Sequence, residues 1–297
     1  MSIQVKGISK NIQHRPIITD ITFDWQPGRI VGLVGRNGAG KTTLFRTLAA
    51  HYLPDAGQLI IDDQNVDQKP LARQNLFYID TQNNFFSNQT LKQLGDTYAL
   101  GYPDFDVNRL QTLLSEEKLT PTSRYRQLSK GQRMLFQILL ALASGTPYII
   151  LDEPFDGLDI LVRERIVVRI VDAVSDQQTS FLISSHNLTE LDGLCDQVLL
   201  LKDQQLVANY DLEQFRTQAR KLQLVFPTKT LPAVVKDAGH LVKVYGRVLE
   251  VYFDHYTDDV DAALKAAKPV MMEPCPLTIT DLFRVKLGDQ AAVMVGD

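Results

Sequence analysis

The stretch Gly35-Arg36-Asn37-Gly38-Ala39-Gly40-Lys41-Thr42 constrains this chain more than any other. It fits G-x-x-x-x-G-K-[ST], the pattern of a phosphate-cradling loop between a strand and a helix. Its flanks suit that reading. Ile30 to Val34 is a short apolar run that reads as a buried strand, and Thr42 to Tyr52 places Leu44, Leu48 and Ala49 along one helical face. Glycines at 35, 38 and 40 let the backbone turn tightly and bring its N–H groups up to an anion. The start of the helix adds the positive end of its dipole at the same point. In such a loop Lys41 reaches the β- and γ-phosphates of a nucleotide, and the Thr42 hydroxyl completes the shell of a Mg²⁺ ion. Arg36, Asn37, Ala39 and Thr43 belong to the same cradle. The plain alternative is a Gly-rich turn without a ligand; the strand before it and the helix after it argue for a nucleotide site.

The rest of the chain gives that loop its setting. With 297 residues there is room for one large α/β domain and a small second one. A net charge of −4 gives no reason to expect nucleic acid, which leaves a basic patch on its binders. Two cysteines far apart, Cys195 and Cys275, make no disulfide framework and suit a reducing cytoplasm. The first residues lack the apolar core of a signal peptide, and the longest apolar runs fall far short of the ~20 residues that span a bilayer. A membrane role would therefore be that of a peripheral subunit on the cytoplasmic face.

Alternation of Ile17, Ile21, Phe23 and Trp25 with polar residues predicts antiparallel strands at the N-terminus. Leu76–Ile79, Tyr148–Leu151, Ser180–Ile183 and Val198–Leu201 read as strands separated by helices, the pattern of a mainly parallel sheet. A helical subdomain over about 83–142 is inserted between them, with Ser129 as an N-cap. This α/β core is expected over residues 1–216. Beyond it, short strands and helices over 217–297 predict a small α+β domain.

A phosphate loop serves many protein classes, so identity has to come from other residues. Tyr148 to Leu151 is an apolar strand that ends in Asp152 and Glu153. A strand-end Asp near the loop Thr is one way to hold Mg²⁺, and Glu153, pointing the other way, is placed to polarise a water in line with the γ-phosphate. Leu128-Ser129-Lys130-Gly131-Gln132 supplies a helix start with free N–H groups. Together these residues resemble ATP-binding-cassette (ABC) ATPases, with Ser129, Gly131 and Gln132 in the family's signature motif. Gln82 falls where the family has its Q-loop glutamine, a Mg²⁺ and water contact. Gly157-Leu158-Asp159 looks like the D-loop, and His186 like the switch histidine that contacts the γ-phosphate. Taken singly each has a plain structural reading: Gln82 a loop amide, Asp159 a helix cap, His186 a packed core histidine.

Two positions depart from the family pattern. The aromatic residue that often stacks on adenine is replaced, by register, with the neighbourhood of Ile12. Lys130 stands where the most familiar signature has Gly.

The resemblance implies that ATP lies between the P-loop of one subunit and the signature of a second, in a homodimer or a heterodimer with a sister ATPase. It implies ATP hydrolysis coupled to separate transmembrane permease subunits, and the short appended domain is similar to exporter-type cassettes. The rival class is a soluble cassette ATPase acting on ribosomes or DNA. Relatives of that kind carry two cassettes in one chain or a long coiled-coil insertion, and neither is visible here.

Overall fold

The computed structural model describes residues 2–80, 87–228 and 230–287. The N-terminal alternation forms β1 (Ile3–Ile12) and β2 (Arg15–Trp25), paired antiparallel. Gln13 and His14 between them both take positive φ, 50° and 62°, the handedness that a two-residue hairpin turn requires. One extra residue on β2 opposite β1, near Asp20 with its φ of 52°, makes a bulge. It resets the alternation so that Ile18, Ile21, Phe23 and Trp25 all turn inward.

β3 (Ile30–Val34) is buried along its whole length and leads into α1 (Lys41–Leu48). That helix is shorter than its apolar periodicity predicts. Ala50 adopts a left-handed φ of 62° and the His51 amide bonds back to the Arg46 carbonyl, which ends the helix there. β4 (Ala56–Ile61) returns to pair with β1, and with β5 (Gln64–Asn65) completes a four-stranded sheet of order β2-β1-β4-β5.

β6 (Leu76–Ile79) is followed by three helices: α2 (Leu91–Gly101), α3 (Val107–Glu116) and α4 (Lys130–Ala143). Thr90, Asp106 and Ser129 cap them, each side chain accepting a backbone N–H of the first turn. Then come β7 (Tyr148–Leu151), α5 (Ile160–Gln177), β8 (Ser180–Ser185), the short α6 (Leu188–Leu191), β9 (Gln197–Lys202) and β10 (Gln205–Asp211). Six strands make the central sheet, order β10-β9-β3-β8-β7-β6, with β3 parallel to β8 and β9, and β7 parallel to β8 and β6. β3, β7 and β8 expose neither face, as strands covered on both sides must. The buried Glu117 carboxylate, just after α3, binds Arg165 and Arg169 of α5, the latter at 2.7 Å, and so ties the helical block to the core.

The chain divides into two compact units, Met1–His186 with Leu194–Asn209, and Asn187–Gly193 with Tyr210–Asp297. The division thus falls after Asn209 rather than at 216. It also assigns Asn187–Gly193 to the second unit, because α6 packs on the last helix and Asp192 accepts the Ile279 amide at 3.3 Å. The second unit holds α7 (Leu212–Gln218), β11 (Arg220–Val225), α8 (Ala233–Ala238), β12 (Gly239–Tyr245), β13 (Val248–Phe253), α9 (Asp258–Ala266), β14 (Met271–Cys275) and α10 (Ile279–Leu287). Its sheet is antiparallel in the order β12-β13-β11-β14. Leu222, Leu224, Val251, Phe253 and Leu264 form its core. Among the described residues no helix is long and apolar enough to cross a membrane.

Candidate active site

β3, β8 and β7 are consecutive in the central sheet, so their C-terminal ends deliver three loops to one edge: the P-loop, Asp152-Glu153 and Ser184-Ser185-His186. Parallel sheets present ligands at those ends. The P-loop fits closely under its neighbours. At Gly40, with φ 109°, a Cβ would lie 2.7 Å from the Ile17 carbonyl oxygen and 2.8 Å from an Ile18 methyl. Neither the conformation nor the space admits a side chain.

Lys41 is buried, and its ammonium donates to the Gly35 carbonyl at 2.6 Å and pairs with Glu153 Oε1 at 3.0 Å. The other Glu153 oxygen accepts the His186 amide at 3.2 Å and lies 2.8 Å from His186 Nδ1. Glu153 itself takes a left-handed φ of 48°, a conformation that non-glycine residues hold at a cost and that gathers at functional sites. Its amide donates to Ser184 Oγ at 2.8 Å, and the same hydroxyl donates to Asp152 Oδ1 at 2.7 Å. One fully buried serine thus orients both acids.

Asp152 also accepts a hydrogen bond from the Thr42 hydroxyl. Burial pushes the Asp152 carboxyl above its usual range, against the pull of Ser184 and Thr42, with the charges of Glu153 and Asp80 adding to the rise. A hydroxyl and a carboxylate side by side are hard oxygen ligands of the kind Mg²⁺ takes together with phosphate oxygens. Among the described residues no group of three or more His, Cys, Asp or Glu could hold a metal.

These residues open on a cavity of about 810 Å³, lined by Arg36 through Thr43 together with Ile17, Tyr125, Lys130, Arg133, Glu153, Asp156 and His186. Of the P-loop positions expected to bind, all but Gly35 line this cavity, with Glu153 and His186, and Asp152 reaches it through its bond to Thr42. Ser129, Gly131, Gln132 and Asp159 are not among the lining residues. Ser129 and Gln132 bond to each other's backbone amides as a capping box at 3.2 and 3.0 Å. Asp159 caps α5 through the Val162 amide at 2.9 Å. Gly131 is packed on that same turn, where a Cβ would meet a Val162 methyl at 2.9 Å. Gln82 lies outside the described residues.

Three residues were not evident from sequence alone. Ser184 leaves a trace in the pair of serines that closes an apolar strand, just before His186. Asp156, paired with Lys130 at 2.9 Å, leaves none, since the two are far apart along the chain. Ile17 lines the cavity and Ile12 does not. Ile12 pairs with Arg15 beside the hairpin turn and is exposed, because the turn at Gln13-His14 comes immediately after it.

The family profile described as ABC transporter matches residues 18–156. The chain is 30% identical to the ABC transporter ATP-binding protein YtrB of Bacillus subtilis over 286 residues, 96% of this chain and 98% of that one. It is 31% identical to the lipopolysaccharide export system ATP-binding protein LptB of Escherichia coli over 219 residues, 70% of this chain and 90% of that one. A solved ATP binding subunit of an ABC transporter superposes with a TM-score of 0.66 at 27% identity, covering 73% of this chain and 92% of the other. Full-length similarity to YtrB, the cassette fold and the P-loop geometry agree, and the chain belongs to the ABC transporter family as an ATP-binding, ATP-hydrolysing subunit.

Proposed function

We propose that this chain is one of two ATPase subunits that close head to tail around ATP and drive separate transmembrane permease subunits, in an export system on the inner face of the cell membrane. The observation that carries the catalytic part is the Glu153 carboxylate held between Lys41 and His186 at the mouth of the P-loop cavity. Gly35, Arg36, Asn37, Gly38, Ala39, Gly40, Lys41, Thr42 and Thr43 bind the phosphates. An arriving γ-phosphate takes the Lys41 ammonium from Glu153, since phosphate oxygens carry more charge than one carboxylate. Glu153 is then free to accept a proton from the attacking water as general base, and His186 contacts the γ-phosphate. Thr42, Asp152 and Gln82 would hold Mg²⁺, which supplies charge neutralisation on the phosphates when bound.

Ser129, Gly131, Gln132 and Asp159 act on the nucleotide of the second subunit. Their positions support this: all four stand apart from the lining of their own chain's cavity, and Ser129, Gln132 and Asp159 are exposed. ATP thus completes a site that neither subunit holds alone, and hydrolysis removes the phosphate that keeps it closed. Export and permease partners rest on the relatives, of which LptB is named for lipopolysaccharide export. The first compact unit acts as the cassette, and the second, Asn187–Gly193 with Tyr210–Asp297, as an accessory domain.

Glu153→Gln tests the reading. Steady-state ATP hydrolysis should fall by more than about 100-fold while ATP binding persists, and sedimentation should show an ATP-dependent dimer. Hydrolysis at the wild-type rate removes Glu153 as the base; a species that stays monomeric at saturating ATP removes the two-subunit site.

A further inference from the structure

Lys130 occupies the first turn of α4, a turn that contains no acidic residue. A cation there opposes the helix dipole, so it does not serve the helix. Its ammonium reaches across to Asp156 Oδ2 at 2.9 Å, in the loop that follows Glu153. It also passes so close over Gly157 that a Cβ there would lie 2.8 Å from the nitrogen. The pair is open to solvent, with 64% of the lysine side chain and 56% of the aspartate exposed. Exposed pairs of this kind contribute little to stability and are readily exchanged. Both partners line the cavity that the P-loop lines. The same cavity is lined by Lys41, Glu153 and His186.

We propose that Lys130 exchanges partners during the ATPase cycle, bound to Asp156 before ATP arrives and to the terminal phosphate of ATP once the site closes. This rests on the ATP-driven closure argued above. A terminal phosphate offers three acceptor oxygens and a larger charge than Asp156, and the flexible four-carbon stem lets the ammonium follow it. Asp156 then faces the phosphate without its counter-charge. After hydrolysis and phosphate release, Asp156 recaptures Lys130. Asp156 is in this way a competitor for the cation that the signature turn contributes, and it sets the ATP concentration at which closure occurs.

The phosphate could belong to the nucleotide on the same chain or to the one on the second subunit, and two measurements separate these sources. The first is ATP binding to protein dilute enough to remain monomeric. The second is the ATP concentration for half-maximal dimerisation of the Glu153→Gln protein, read by sedimentation. Lys130→Met in that background should raise the ATP requirement by about tenfold, in the first measurement if the contact is within the chain and only in the second if it is between chains. Asp156→Asn should do the reverse and lower the requirement by about threefold. Most of that gain should vanish when Lys130→Met is also present, since there is then no cation to release. Lys130→Arg should stay near the parent and guards against a folding defect in Lys130→Met.

If Lys130→Met and Asp156→Asn both raise the requirement, the pair is a structural strap and the exchange is wrong. If neither moves it, Lys130 does not touch phosphate. A Glu153→Gln parent that fails to dimerise with ATP overturns the underlying two-subunit reading instead, before Lys130 enters.

Discussion

Lys41 and Lys221 are both ammonium groups held among acids, one in each compact unit, with 6% and 11% of the side chain exposed. Lys221 on β11 lies 2.9 Å from Asp281 and 3.3 Å from Glu250. Asp281 in turn accepts the Thr278 hydroxyl at 2.7 Å and the Thr278 amide at 3.1 Å, and Glu250 accepts from Gln223 at 3.4 Å. Each acid is held by several donors on regular strands or at a helix start, as buried charges must be if they are to persist. Lys41 leans on two backbone carbonyls and on a single acid, Glu153, whose backbone is strained and whose other oxygen faces an exposed histidine beside an open cavity. The first arrangement gives up nothing without unfolding something. The second can change partners, and that difference separates a structural ion cluster from a working one better than residue type does.

The comparison breaks most visibly at Lys41. Lys41→Ala should weaken ATP binding by more than about 100-fold, since charge-assisted contacts to two phosphates are lost together. Its unfolding midpoint in denaturant should stay near that of the parent. Retained tight binding in an equilibrium titration would count against the P-loop geometry.

At Lys221 the consequences should be reversed. Lys221→Met leaves the buried Asp281 and the half-buried Glu250 without their shared cation and should cost the second unit about 3 kcal/mol in denaturant unfolding. ATP affinity should be untouched. Burial alone would lower the Lys221 pKa, but its bonds to Asp281 and Glu250 outweigh this and raise it. A raised lysine contributes stability in full below its unfolded pKa and loses it only as pH climbs through the folded value, so the cost should be undiminished at neutral pH.

The finest test is Ser184→Ala. The Asp152 carboxyl is already raised by burial, and Ser184 is one of the bonds holding it down. Removing that hydroxyl should raise the carboxyl further, so that its proton competes with metal at higher pH. The acid limb of the ATPase pH profile should then move toward neutrality by up to about one unit. An unmoved limb with a lower plateau would mean that Ser184 acts through Glu153 alone.

Much of the first unit was legible because its signals are local. β3 and β7 are unbroken apolar runs, the P-loop glycines lie in a fixed pattern, and Ser129 marks the start of α4 within its own sequence neighbourhood. Features set by distant contacts were not. A register shift between Ile18 and Pro16 leaves Ile17 out of the pairing with β1, and Ile17, not Ile12, lines the cavity. α7 and α8 are too short to show a helical period. Asn187–Gly193 joins the second unit only through contacts with α10, far along the chain. The orientation of Asp152 and Glu153, just past the end of β7, depends on Ser184 of β8, far along the chain.

Gly131 carries a consequence for how this site can vary. On the proposed two-subunit site it answers to two demands, an unobstructed approach for phosphate and close packing of α4 on Val162, whose two methyls would lie 2.9 and 3.2 Å from any Cβ at 131. Val162 is a trimmable neighbour, so the two demands can be separated by genetics. Gly131→Ala combined with Val162→Ala should recover the thermal stability that Gly131→Ala alone loses. Any ATPase defect that survives the rescue belongs to the phosphate and not to the packing.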